Sequence, residues 1–144
     1  MSTPLDPIHV GQVRGVAVRF FKAPNDAVAL PWHAFSDLLS AAGLSRHDRR
    51  TFLSMVQSGP FQDDVRTVKT SAGPVMIAPH FVFQGTIGAL KQVGLMPKDD
   101  DFESEFCMAG VSACEVLHAG LSPGERFERI ITMGRRHLGR EDEV

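Results

Sequence analysis

Cysteine is scarce in this chain of 144 residues, and the two present, Cys107 and Cys114, stand seven apart in a stretch with helical pattern. Two helical turns separate their Cα atoms by roughly 10 Å, beyond disulfide reach. That excludes a disulfide framework and fits reduced thiols in the cytoplasm. No basic segment followed by an apolar core opens the sequence, so no signal peptide is expected. No apolar run reaches membrane-span length, and Val75 to Leu90, the longest candidate, is broken by Pro79, His80, Gln84, Gly85 and Gly88. No internal repeat is visible. A large net charge is absent too: 15 Lys+Arg stand against 17 Asp+Glu, giving −2. With 43% hydrophobic residues, the chain is neither a disordered polyelectrolyte nor a wholly basic nucleic-acid coat.

What is present is unevenly spread. Residues 1–97 hold nine basic and six acidic groups, and residues 98–144 hold six basic and eleven acidic ones. The break falls at Met96-Pro97-Lys98-Asp99. Two parts are therefore expected: a mildly basic module over 1–97 and an acidic two-helix appendage over 98–144.

Hydrophobic periodicity predicts α+β architecture, with two β-hairpins packed with helices and then a C-terminal helical hairpin. Met1 to His9, with Pro4 and Pro7, reads as a frayed lead-in. Val16, Val18 and Phe20 alternate like a half-buried strand, with Ala27–Leu30 as the returning strand of a hairpin from about Gly15 to Leu30. Pro31-Trp32-His33 leads into a helix that closes on Gly43. Ser45 to Asp48 resembles a capping box opening a second helix, about Arg46–Gln57, whose Phe52, Met55 and Val56 face the core. Val65–Thr70 and Pro74–Ala78 make a second hairpin around Ser71-Ala72-Gly73. Pro79 suits the first position of a third helix, with Phe83, Ile87, Leu90 and Val93 as its apolar stripe and Gly94 as its stop. Asp100 and Glu103 have capping-box spacing before a fourth helix. Ser122-Pro123-Gly124-Glu125 is the strongest start signal, opening a last helix with Phe127, Ile130, Ile131, Gly134 and Leu138 on its apolar face.

The chemistry-bearing residues are weighed in turn. Cys107, Cys114 and His118 share one helix face, but zinc sites use close pairs such as C-x₂-C, and none exists, so no metal is expected. Nothing fixes an orienting group beside a thiol, and nucleophile-elbow, phosphate-loop and zinc-protease motifs are absent. The chain is therefore read as no enzyme, with no cofactor. Arg46, His47, Arg49 and Arg50 cluster at the start of the second helix, and Arg14, Arg19, Arg66 and Lys69 fall on or beside strands. On one face they would neutralise several phosphates of double-stranded DNA. Residues 37–56 do not read as a helix-turn-helix, because Arg49 stands where that motif wants an apolar residue.

Three stretches carry a family resemblance: Val13–Phe21 with its Arg19, Pro31 to Leu44 with its Trp32-His33 and closing Gly43, and Val65 to Gly73 ending in Thr70-Ser71-Ala72-Gly73. In that order, over residues 12–94, the chain resembles the Bro-N domain of phage antirepressor-like proteins. It differs from that pattern at Ala42, where Leu is usual, and at Pro79-His80-Phe81, where an acid-x-Gly start is usual. The resemblance implies an α+β DNA-binding regulator of phage or mobile-element type. The alternative is an antirepressor or inhibitor that acts on a repressor or other protein partner through its helical tail without touching DNA. The tail's stripe of Phe102, Phe106, Ala109, Ala113, Leu117, Phe127, Ile130 and Ile131 is the expected partner or homodimer surface.

Overall fold

A computed structural model describes residues 3–137. Strand β1 (His9–Val13) pairs antiparallel with β2 (Val16–Phe21), with Val13 opposite Val16. The two residues between them, Arg14 and Gly15, have φ of 55° and 76°. Positive φ at both positions gives a tight turn whose twist matches the strands it joins. This corrects the expected first hairpin: the tight-turn partner of β2 lies before it, and the strand that returns after it is Trp32–Ala34 rather than Ala27–Leu30. Ala27–Leu30 forms no strand and follows a single 3₁₀ turn at Pro24–Asp26. Gly11 hides β1 in the sequence, because the position that faces the core has no side chain to show apolar alternation.

The remaining strands are β3 (Trp32–Ala34), β4 (Arg66–Thr70) and β5 (Gly73–Ala78). Trp32 and His33 thus belong to a short strand, paired to Phe21 and Phe20 on one side, with His33 and Ala34 paired to Ala78 and Ile77 on the other. The order β1-β2-β3-β5-β4 is antiparallel throughout. At the β4–β5 turn, Thr70 Oγ1 donates to the Gly73 carbonyl at 2.6 Å and accepts from Ala72 N–H at 3.1 Å. Residues 3–8, expected to fray, are tied down instead. Leu5 N–H donates to the Lys69 carbonyl of β4, and Ile8 N–H to the Phe20 carbonyl of β2.

The helices are α1 (Phe35–Ala41), α2 (Arg46–Ser58), α3 (His80–Gln92), α4 (Phe102–Leu117) and α5 (Pro123–His137). Their ends follow local chemistry. Gly43 closes the turn after α1 at φ 78°. The Ser45 hydroxyl accepts Asp48 N–H at 3.1 Å. Pro79 sits just before α3 rather than in its first turn. After α3, Leu95 N–H reaches back to the Leu90 carbonyl at 2.9 Å, the six-to-one bond of a glycine-terminated helix. At the start of α5, Ser122 and Glu125 exchange both capping hydrogen bonds at 3.2 Å. Asp100 does not pair with Glu103 as its spacing suggested. Its carboxylate accepts Phe102 N–H at 2.8 Å, and Glu103 meets Lys91 instead.

Strand alternation sends Val18 and Phe20 to one side of the sheet and Phe21 to the other. The larger core gathers Val18, Phe20, Phe35, Leu38, Phe83, Ile87, Phe102, Phe106, Ala109 and Ala113. The smaller holds Phe21, Ala34, Val75 and Ile77, with Trp32 and Val68 against them. Phe83 of α3 stacks on Phe106 of α4 at 3.9 Å, and Phe106 also meets Phe20 at 5.5 Å.

The larger core crosses residue 97. Phe102, Phe106, Ala109 and Ala113 are buried in the chain's own interior, so they do not form the partner surface expected of them. Full burial of each phenylalanine contributes about 1.5–3 kcal/mol, which binds α4 to the module. On α5 the only buried side chain among the described residues is Met133, whereas Phe127, Ile130 and Ile131 are exposed. Leu138, expected on the same apolar face, lies outside the described residues. Met55 and Val93, both expected to face the core, are exposed as well.

Candidate nucleic-acid interface

The eight basic residues singled out for DNA separate into three groups. Arg14, in the β1–β2 turn, is turned onto the acidic N-terminus of α4. Its guanidinium meets Asp100 at 2.6 Å, Asp101 at 2.9 Å and Glu105 at 3.0 Å, and lies over the Phe102 ring at 5.6 Å. Its backbone N–H also donates to Glu105 at 2.7 Å. The hydrogen bond to Asp100 leads the effects that raise the Arg14 pKa above its ordinary value. Desolvation pushes the Asp100 carboxyl up, but hydrogen bonds from Arg14 and Phe102 N–H and the charges of Arg14 and Lys91 hold it below the usual carboxylate range.

Arg19 is committed in the same way. Asp37, in the first turn of α1, accepts Nε at 2.8 Å and Nη2 at 3.0 Å, and also the Arg19 backbone N–H at 3.0 Å. This two-pronged pairing clamps α1 to β2 and raises the Arg19 pKa, chiefly through that hydrogen bond. Sequence spacing reveals neither pairing. Asp37 reads only as one of the six acids of the first 97 residues, and Asp100 as half of a capping box with Glu103.

Arg66 and Lys69 form the second group. Both are exposed on β4. Three positions apart on a strand, they point to opposite faces of the sheet.

The third group stays together. On the first turns of α2, Arg46, His47 and Arg50 are exposed, and none of them makes an ion pair among the described residues. Arg49 is half-buried and its Nη1 donates to the Leu44 carbonyl at 3.3 Å, which orients it against the α1–α2 turn. The Ser45 cap leaves the positive end of the helix dipole beside these cations. Further along α2 the character changes. Phe52, Met55 and Val56 face Phe81, Gly85, Ala89 and Val93 of α3 across an apolar groove of about 500 Å³, with Phe35 in its lining. Exposed Phe81 and Val93 were not singled out as surface residues, because apolar periodicity cannot tell a groove wall from a core face.

The sulfur and imidazole groups stand apart from this surface. Cys107 is exposed and Cys114 partly covered, and burial leads the effects that raise both thiols, assisted by Glu103 and Glu115 respectively. His118 is buried and held below its ordinary value by desolvation and by Arg129 and Arg126. Among the described residues no group of three or more His, Cys, Asp or Glu stands together to hold a metal. No helix among them is long and apolar enough to cross a membrane. No protein-family model, curated protein or solved structure matches this chain.

Proposed function

We propose that this chain is a small DNA-binding regulator of the antirepressor type its sequence resembles, contacting double-stranded DNA through the first turns of α2. One observation carries the reading: Arg46, His47 and Arg50 are exposed on a capped helix without acidic partners among the described residues, whereas Arg14 and Arg19 are paired with carboxylates of the chain itself. Cations left unpaired at the positive end of a helix suit phosphate oxygens. The interface is then narrower than the eight residues that the sequence offered. It is a phosphate-contacting patch, and binding rather than catalysis is its chemistry. Titration against duplex DNA at several salt concentrations tests it. Affinity should fall steeply with salt, and no binding at low salt would refute the proposal.

A second reading is favoured by α5. Its exposed Phe127, Ile130 and Ile131 suit an antirepressor that acts on a protein without contacting DNA. Binding of a protein partner unchanged by Arg46→Ala and Arg50→Ala, with no DNA affinity, would favour it over the first.

A further inference from the structure

Between α4 and α5 lies an open-mouthed cavity of about 430 Å³, with Leu30 as a third wall. Leu30 ends the apolar stretch that follows the 3₁₀ turn and forms no strand. Val111 and Ile130, each about half exposed, stand at the mouth, and the buried Met133 and His118 stand at the inner end. Gly134 of α5 also lines the space, and a Cβ built there would meet nothing within 4 Å. Glycine in a helix interior is unfavourable, and here its missing side chain keeps the cavity wide.

His118 is 4% exposed, and its Nε2 has no hydrogen-bond partner. A buried polar atom left without a partner is costly. The larger groove between α2 and α3 has no such atom in its lining. Desolvation, with Arg129 and Arg126, holds the imidazole below its ordinary value, so it is neutral at pH 7. A neutral imidazole has one nitrogen that donates and one that accepts. A hydroxyl does both, so it suits Nε2 in either tautomer.

The charges around the cavity narrow the choice further. Arg126 lines it with Nη2 donating to the His118 carbonyl at 3.2 Å, and Glu115 lines it as well. A carboxylate entering the cavity would meet Glu115, and an amine would meet Arg126. The Cys114 thiol is raised by burial and by Glu115, so it stays protonated at neutral pH and is part of the wall rather than a nucleophile.

We propose that this cavity binds a small, uncharged, largely apolar molecule that carries one hydroxyl. The hydroxyl bonds to His118 Nε2, and the apolar body lies against Leu30, Ile130 and Met133. Binding is non-covalent, and the size of the cavity falls within the usual range of small-molecule sites. The proposal rests on neither functional reading above, since it needs only the space between α4 and α5.

2-Naphthol and naphthalene differ by one hydroxyl and serve as probes. Titration of each into the full chain, followed through the side-chain methyl resonances, reads both affinity and place. The resonances of Ile130 and Met133 should shift with saturation. His118→Phe keeps a ring but removes both nitrogens, and should weaken 2-naphthol at least about fivefold while leaving naphthalene unchanged. Gly134→Leu fills the cavity and should weaken both probes at least about tenfold, with the helical circular dichroism retained. No shift at Ile130 and Met133 overturns the proposal. So do shifts confined to Met55, Val56 and Val93, which would place the probe in the other groove. Equal loss of both probes in His118→Phe overturns the role of the imidazole, and undiminished binding in Gly134→Leu overturns the site.

Discussion

Arg14 and Asp100 meet at 2.6 Å, joining the turn of the first hairpin to the start of α4. The two residues lie on opposite sides of the charge break at residue 97. The contrast between a basic module and an acidic tail is thus partly cancelled by ion pairs within the chain. Asp101 and Glu105 complete the arrangement around one guanidinium.

Replacing Arg14 with Ala should lower the melting temperature and speed amide exchange in the first turn of α4. The pH dependence has a definite sign. The Asp100 carboxyl is held below its ordinary value in the folded chain. Its contribution is present above the ordinary carboxylate value and is lost as pH falls through the folded one. Thermal melts from neutral to acid pH should show a shallower acid limb for Asp100→Asn than for the unaltered protein. Identical limbs would contradict this account.

Gly11 of β1 lies under Ala109 of α4 so closely that a Cβ at residue 11 would stand 2.7 Å from the Ala109 Cβ. Gly11→Ala should destabilise by about 1–3 kcal/mol through overpacking. Ala109→Gly should cost about 1 kcal/mol in helix propensity while opening the space. The double variant should be more stable than the sum of the two single changes implies, and a urea-denaturation cycle measures that coupling. Strict additivity would show that α4 does not press on β1 at this point.

His33 is buried beside Phe83 and Phe106, both edge-on, and its pKa is lowered to about 3 by desolvation and then by His80. Above about pH 6.5 both folded and unfolded states hold it neutral. Below that, the unfolded chain takes up a proton that the folded chain refuses until about pH 3. Stability should fall across this window as pH drops, by up to about 1.4 kcal/mol per unit from this group. His33→Leu should flatten the slope by up to about one proton. An unchanged slope in chemical denaturation would place the titration elsewhere.

The two kinds of arginine should separate cleanly in experiment. Arg46→Ala with Arg50→Ala should weaken duplex binding across sequences and reduce the salt slope by roughly one for each phosphate no longer neutralised, with little change in melting temperature. Arg19→Ala should do the reverse, breaking the clamp on Asp37 and lowering stability while leaving the salt slope unchanged. Equal effects of both sets on DNA binding would mean that the patch extends beyond α2.

Much of the local structure was legible because its causes are local. Ser45 and Asp48, Ser122 and Glu125, Gly43 and Gly94 mark helix ends through bonds or backbone angles reached within a few residues. The second hairpin followed from the turn at Ser71-Ala72-Gly73. Strand β1 escaped notice because Gly11 carries no side chain, and its small size matters only where α4 crosses it. Ala27–Leu30 misled because a short apolar run has no periodicity to test.

By itself the sequence determined the α+β class, the apolar face of α5 and the clustering of cations at the head of α2. Tertiary structure alone decided which of these remain at the surface. It spent Arg14 and Arg19 on carboxylates far away in sequence, buried the Phe102–Ala113 stripe against β1 and α3, and left Phe127, Ile130 and Ile131 outside. The reason is physical: periodicity reports that a helix face is apolar, whereas what covers that face depends on contacts between distant segments.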